Sequence, residues 1–214
     1  MKILSVLLLL VSFNLQAEEL YSSVDDYLKT LPAVNEEQQS NKELPKDPSR
    51  AVSKNKRWYV GYGPGGTARS AYIYLLEANK QGKLKLVTKI NTNEEWQLPY
   101  LFEEVAFDDN DKFHVSIQLI QNGNASHTYY FQLIMSKWYL VKDDYHALAQ
   151  CGEGDNSETF YSIEASTNFL TGKIKEQRYS EKDCKPLKLI KKKVKFSLVA
   201  LADFYPYMEI EPQQ

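Results

Sequence analysis

Between residues 113 and 120, apolar and polar side chains alternate along the chain. Phe113 and Val115 fall on one side of an extended backbone, and His114 and Ser116 fall on the other. Successive side chains of a β-strand point to opposite faces, so this pattern is typical of a strand that buries only one face. A chain with such a strand needs neighbouring strands to pair with it and a core to cover its apolar face.

Asn122-Gly123 separates this run from a second alternating run at residues 128–135. Asn-Gly between two such runs is the strongest short-range signal for a β-hairpin. A third run at 137–141 follows directly, so the three runs predict an antiparallel meander. Further strands are predicted at 57–62, 71–78, 83–91, 158–165, 172–179 and 188–201. Short strands at near-regular spacing indicate an all-β domain in the form of a sandwich, an open barrel or a partial propeller.

The first residues have the composition of a secretory signal peptide. Lys2 precedes an apolar run from Ile3 to Phe13, and Ala17 precedes two acidic residues. The apolar run is about eleven residues long, whereas a membrane-spanning helix needs about 20. We therefore expect residues 1–17 to be cleaved off and the protein to be periplasmic or secreted, without a membrane span. An exported chain whose 26 basic and 28 acidic residues nearly balance is not expected to bind nucleic acid.

The segment that follows the signal peptide differs from the rest of the chain. Apolar residues recur with helical spacing between Leu20 and Leu31, serines at 22 and 23 offer an N-cap, and Pro32 ends the helix. Residues 33–56 are mostly polar and indicate a linker. We expect the short helix to dock on the β domain. The predicted organisation is a signal peptide at 1–17, a helix and polar linker at 18–56, a β domain at 57–207 and a C-terminal tail at 208–214.

The chain has two cysteines, Cys151 and Cys184. In an oxidising compartment an isolated pair of cysteines most simply forms a disulfide. Closing a loop of this length stabilises a fold by roughly 4 kcal/mol in the chain-entropy model. A redox or metal role is the alternative, but the chain has no C-x-x-C motif.

The sequence GYGPGG at residues 61–66 matches the G-x-G-x-x-G fingerprint of dinucleotide-binding folds. That site requires a helix after the glycines, whereas the following segment here is predicted to be a strand. We therefore expect a loop between two strands and no cofactor. Because Tyr and Arg are common in binding hot spots, the loop is a candidate partner-binding surface. The candidate residues are Tyr62, Pro64, Thr67 and Arg69.

A second candidate binding loop lies at residues 152–158, directly after Cys151. Glu153 and Asp155 make it acidic, and its two glycines allow it many backbone conformations. Such a loop can face a basic partner, with the predicted disulfide holding one end. The alternative is a solvated turn with no partner.

Two other charged segments have structural as well as functional interpretations. Asp108 and Asn110 have the spacing of a calcium loop, but Lys112 occupies the position that needs an oxygen ligand, so we expect an acidic turn and no metal. Residues 185–195 contain six lysines. They are expected either to contact anionic envelope material or to protect an exposed strand edge from aggregation.

The sequence has three histidines and no recognisable catalytic motif. It contains neither G-x-S-x-G nor H-E-x-x-H, and no pair of metal ligands at a regular spacing accompanies His114, His127 or His146. We therefore expect no enzymatic activity. A triad assembled from distant parts of the chain remains the alternative.

Three segments together resemble known β-rich proteins. VAFDDNDKFHVSIQL at 105–119 is similar to the loop-and-strand unit of FG-GAP-like β-repeats. YYFQLIMSKWYLVKDD at 129–144 and STNFLTGK at 166–173 resemble periplasmic proteins related to bacterial lysozyme inhibitors. The resemblance implies a non-enzymatic protein, since some such proteins block a wall-degrading enzyme or act as immunity partners of secreted toxins.

We therefore expect a non-catalytic binding protein of the periplasm, or a secreted one. It would act as an inhibitor or immunity protein that blocks a cell-wall hydrolase or toxin by covering its surface. Two alternatives remain open. One is an envelope hydrolase with a site around His114 or His127, and the other is a structural component of the cell envelope.

Overall fold

The computed structural model describes residues 19–31, 50–64, 71–91, 100–119, 125–150, 160–180, 183–206 and 208–213. Its strands and helix, in chain order, are β1 (Leu20–Tyr21), α1 (Val24–Leu28), β2 (Arg50–Val52), β3 (Trp58–Pro64), β4 (Ala71–Ala78), β5 (Leu84–Asn91), β6 (Tyr100–Phe107), β7 (Phe113–Leu119), β8 (Ala125–Ile134), β9 (Lys137–Gln150), β10 (Phe160–Asn168), β11 (Lys173–Gln177) and β12 (Ile190–Lys193). A 3-10 turn follows at Leu201–Asp203.

The strands form two antiparallel sheets, which confirms the all-β prediction. The five-stranded sheet has the order β1-β5-β4-β3-β2, and the seven-stranded sheet has the order β12-β11-β10-β9-β8-β7-β6. Every strand pair in both sheets is antiparallel. The seven-stranded sheet is a plain meander in which each strand pairs with the next one along the chain.

One hydrophobic core lies between the two sheets. It includes Trp58 and Val60 from β3 together with Phe113 from β7 and Trp138 from β9. The two tryptophan rings meet edge to face with their centroids 5.3 Å apart, so the contact directly joins the sheets. Two separate sheets that share a core form a sandwich, which was one of the three predicted alternatives.

The helix α1 covers the other face of the five-stranded sheet. Ser23 is its N-cap, because the Ser23 hydroxyl accepts a hydrogen bond of 3.1 Å from the backbone N–H of Asp26. Tyr27 packs with Tyr74 and Leu76 of β4 in a second buried cluster. The predicted helix therefore exists and docks on its own domain, although it is shorter than expected. After Leu28 the helix gives way to a turn, in which the N–H groups of Thr30 and Leu31 bond to carbonyls three residues back instead of four.

Both ends of the predicted β domain differ from expectation. β1 and β2 lie within residues 18–56 yet pair with β5 and β3, so the five-stranded sheet takes in part of the predicted helix-and-linker segment. Met208 and Ile210 pack against the main core instead of forming a separate tail. The predicted signal peptide at 1–17 lies outside the described residues.

The predicted strand at 188–201 is wrong beyond Lys193. After β12 the chain leaves the sheet edge, and the Val194 N–H donates a 2.9 Å hydrogen bond to the carbonyl of Gly172. The close approach of these two segments requires glycine at position 172. A Cβ there would lie 1.7 Å from the carbonyl oxygen of Val194, and Gly172 has φ +69°. Phe196 then packs edge to face on Phe169, with centroids 5.1 Å apart. This part of the chain therefore covers the core instead of extending the sheet.

Candidate functional site: a polar groove on the open face of the seven-stranded sheet

The face of the seven-stranded sheet that points away from the core is rich in polar side chains. His146 of β9 lies directly opposite Ser126 of β8 and Glu164 of β10, and Asp144 shares their face because side chains alternate. His146 and Glu164 are exposed, and Asp144 and Ser126 are half-buried. We call this side of the sheet the open face.

A groove of about 380 Å³ crosses the open face from β8 to β11. Its polar lining includes Ser126, Thr128, Asp144, His146, Glu164 and Ser166. Hydroxyl groups and carboxylates alternate across the strands, and Lys175 stands at the far side. The groove therefore offers many hydrogen-bond acceptors and donors within one surface.

A network of charged and aromatic side chains lies at one end of the groove. The Lys142 ammonium donates a 2.5 Å hydrogen bond to Asp144 Oδ2 and lies 4.7 Å from the centroid of the Tyr130 ring. Burial, the negative charge of Asp144 and a hydrogen bond to it raise the pKa of Tyr130. The other carboxylate oxygen, Asp144 Oδ1, is buried without a partner in the described part of the chain.

Two of the three histidines lie on the open face. The Nε2 atom of His146 is 2.9 Å from Ser162 Oγ. His114 of β7 lies further along the sheet, with its Nε2 atom 3.6 Å from a carboxylate oxygen of Glu104. Its ring centroid is 5.5 Å from that of Tyr130.

His127 points to the core side of the same sheet. Its Nδ1 atom lies 2.9 Å and 3.1 Å from the two carboxylate oxygens of Asp143. The ring stacks on Tyr129 at an interplanar angle of 8° and packs against Tyr145. The side chains of His127 and Asp143 are 16% and 23% exposed. Asp143 also lines a second cavity of about 240 Å³ on this side.

The serine and carboxylate contacts of these histidines are divided between the two faces of the sheet. A serine-type triad needs one histidine that contacts a serine through one ring nitrogen and a carboxylate through the other. The His146–Ser162 contact lies on the open face, and the His127–Asp143 contact lies on the core face, since Ser126 and His127 are adjacent in β8. These two pairs therefore cannot combine into one triad.

The predicted loop around Tyr62 begins later than expected. Residues 61–64 belong to β3 and pair with β4 as far as Pro64 and Ala71. Tyr62 is only 6% exposed and belongs to the main core, so its predicted place in an exposed loop is wrong. Its ring is buried because the alternation of β3 turns it toward the other sheet. Thr67 and Arg69 lie outside the described residues.

The second predicted binding loop also lies outside the described residues, with Glu153, Asp155 and Cys151. No cysteine in the described part of the chain is free, and Cys184 follows β11 with φ 55°. The Cys151–Cys184 disulfide stays a prediction.

The acidic segment after β6 forms the predicted turn. The Asp108 side chain accepts hydrogen bonds of 2.8 Å and 2.9 Å from the backbone N–H groups of Asn110 and Lys112. Within the described ranges, no group of three or more histidine, cysteine or acidic side chains is placed to hold a metal ion. None of the helices in those ranges combines the length and apolarity needed to cross a bilayer.

Comparison with known proteins found no match to a protein-family model, a curated protein or a solved structure.

Proposed function

We propose that this protein is an exported, non-catalytic binding protein that covers the surface of a protein partner with its open face. One observation carries this proposal. The hydrophobic core covers the inner face of the seven-stranded sheet, and the open face presents a polar groove of about 380 Å³. A groove lined by carboxylates and hydroxyls can accept hydrogen bonds from the surface of a partner.

The lining of the groove suits a protein surface that presents hydrogen-bond donors. Asp144 and Glu164 provide carboxylates, and Ser126, Thr128 and Ser166 provide hydroxyls. Lysine, arginine or backbone N–H groups of a partner could donate hydrogen bonds to the exposed carboxylate of Glu164 and to these hydroxyls. Protein interfaces use about one hydrogen bond per 100–200 Å², which a polar face of this kind supports.

The partner class that we propose is a cell-wall hydrolase or a toxin that acts on the cell envelope. The resemblance to lysozyme-inhibitor-related proteins supports this choice, as do the signal-peptide pattern and the separation of the two histidine contacts. Binding would inhibit such a partner by covering its substrate site.

Export and the disulfide belong to the same proposal, and intact-mass measurement tests both. The mature protein should begin at Glu18, and its mass should rise by two hydrogens on reduction. A chain that retains Met1, or one whose mass does not change on reduction, would contradict this part of the proposal.

Site-specific photocrosslinking tests the binding surface. A photoreactive phenylalanine analogue is placed at Ser126 or Ser166 in the groove, and at Val87, which is 42% exposed on the five-stranded sheet. Both groove positions should yield an adduct of the same mass in the native envelope, and Val87 should yield none. Equal adducts from all three positions would remove the groove as the binding surface.

A hydrolase inhibition assay then tests the consequence of binding. The purified partner should lose activity on wall material when this protein is added in excess. The Asp144→Ala and Glu164→Ala variants should inhibit less than the unchanged protein. Full activity of the partner in the presence of the protein would show that binding does not inhibit.

An envelope hydrolase is the second candidate, because His127 contacts Asp143 beside the inner cavity. A panel of ester and wall-polymer substrates tests this alternative. Turnover that His127→Gln abolishes, with the fold retained, would favour the hydrolase. Absence of turnover by the unchanged protein, or equal turnover by the unchanged protein and the variant, would exclude the hydrolase.

A further inference from the structure

Four lysines form a square array at the far edge of the open face. Lys173 of β11 lies directly opposite Lys193 of β12, and Lys175 lies directly opposite Lys191. All four are exposed. They share one face of the sheet because residues two apart on a strand point the same way. We call these four residues the lysine grid.

The lysine grid places like charges directly opposite each other, which destabilises a sheet. Two nearby basic residues, in contrast, have carboxylate partners. Arg178 lies 2.5 Å from a carboxylate oxygen of Glu176, and Lys185 lies 2.8 Å from one of Asp183. None of the four grid lysines makes an ion pair with a residue that the structure describes. Four charges therefore lie together without an ion-pair partner among the residues that the structure describes.

Protection of a sheet edge explains only half of the grid. Lysines on an edge strand prevent pairing with another chain, and β12 is the edge of its sheet. Lys173 and Lys175, however, lie on β11, which pairs with β10 on one side and β12 on the other. That strand has no free edge to protect, so its lysines need another explanation.

We propose that the lysine grid binds a linear polymer that carries repeated phosphate groups. Neighbouring strands lie about 5 Å apart and alternate residues of one strand about 7 Å apart, so the grid presents two short rows of positive charge. Lysine binds phosphate as a point charge without the bidentate geometry of arginine, which suits a flexible polymer.

The rest of the open face favours a narrow polymer over an anionic membrane. Asp144 and Glu164 lie on the same face of the sheet, one or two strands from Lys175. Lys142 already neutralises Asp144, but a flat anionic surface in contact with the lysines would also approach Glu164, which has no ion-pair partner among the described residues, and be repelled. A polymer that follows β11 and β12 avoids Glu164.

Fluorescence anisotropy with labelled linear inorganic polyphosphate tests the proposal. The full mature protein is compared with a variant in which Lys173, Lys175, Lys191 and Lys193 are all replaced by Gln. The control variant replaces Lys54, Lys56, Lys80 and Lys137 by Gln, so it has the same net charge, and these lysines are also exposed. The grid variant should bind polyphosphate about tenfold more weakly or worse. The logarithm of its association constant should also depend less steeply on the logarithm of the salt concentration, with a slope smaller in magnitude by roughly 3.

The control variant should bind like the unchanged protein. Equal weakening of both variants would overturn the proposal, because net charge alone would then explain the binding. Absence of polyphosphate binding would overturn it, as would binding to phosphatidylglycerol vesicles in its place. The inference does not rest on the proposed partner, since Asp144→Asn should weaken partner binding and leave polyphosphate binding intact.

Discussion

The two sheets differ in how many of their faces are covered. In β4 of the five-stranded sheet, four consecutive side chains from Ile73 to Leu76 are at most 1% exposed, because the core covers one face and α1 covers the other. In β7 of the seven-stranded sheet, Phe113 and Val115 are fully buried while His114 is half-buried. A continuous apolar run thus marks a strand covered twice, and alternation marks a strand with a free face.

Leucines on the outer faces of the two sheets should differ most in what they contribute to stability. Leu76→Ala should lower the free energy of unfolding by about 2–5 kcal/mol, since its side chain is fully buried under α1. Leu148→Ala on the open face should change it by only about 0.5 kcal/mol, because Leu148 is 43% exposed. Urea unfolding measures both. Similar losses would mean that the open face is covered after all.

Alkaline pH should lower the stability of the fold through two tyrosines that are buried between the five-stranded sheet and α1. Burial raises the pKa of Tyr74 from 10.0 to about 12, and it raises that of Tyr27 as well. The unfolded chain loses these protons first, so the stability they contribute is fully present below pH 10 and is lost as the pH rises toward 12. The free energy of unfolding should fall by about 1.4 kcal/mol per pH unit for each such tyrosine.

Tyr74→Phe should remove part of this alkaline loss without a cost at neutral pH. The hydroxyls of Tyr27 and Tyr74 are buried and have no hydrogen-bond partner in the described structure. Replacing an unsatisfied hydroxyl by hydrogen leaves no donor unpaired. Chemical denaturation at pH values from 8 to 12 would show this, and an unchanged pH profile in the variant would contradict it.

The cover provided by α1 should depend in part on its N-cap. Ser23→Ala removes the hydrogen bond to the Asp26 N–H and should cost about 1 kcal/mol. Ser22→Ala is the matched control, because Ser22 is exposed and bonds only to the flexible Lys83 ammonium among the described contacts. Calorimetry should show a lower melting temperature for the first variant only. Equal shifts would mean that the cap does not hold the helix.

The smallest expected effect is a gain in stability from the lysine grid. Replacing all four lysines by Gln removes two directly opposed like-charge pairs and should stabilise the fold by about 0.5–1 kcal/mol. The gain should shrink in high salt, because screening already weakens the repulsion. A clear loss of stability would show that the lysines have a structural role.

The sequence predicted the strands whose alternation is regular and missed those in which it is interrupted. β7 was found from its period-two pattern, as was β8 except for its first three residues. β6 was not predicted, because its register against β7 shifts between Phe102 and Glu104 and the bulge breaks the alternation. Residues after Lys193 alternate without forming a strand, since they bury apolar groups while crossing the core.

The groove was missed for a related reason. The predicted strand at 137–141 ends where the register of β8 and β9 shifts, and Leu140 and Val141 are both buried there. β9 continues to Gln150, and the shift places Lys142, Asp144 and His146 together on the open face. No pattern of period two shows this from the sequence alone.

Covalent labelling of the histidines tests the central claim that the open face is accessible and binds the partner. Diethyl pyrocarbonate modification, followed by mass spectrometry, can report on all three histidines in one experiment. His146 should react fastest in the free protein and become protected when the crosslinked partner is bound, while His127, whose side chain is 16% exposed, reacts slowly in both states. If His146 reacts as slowly as His127, or is not protected in the complex, the open face is not the binding surface.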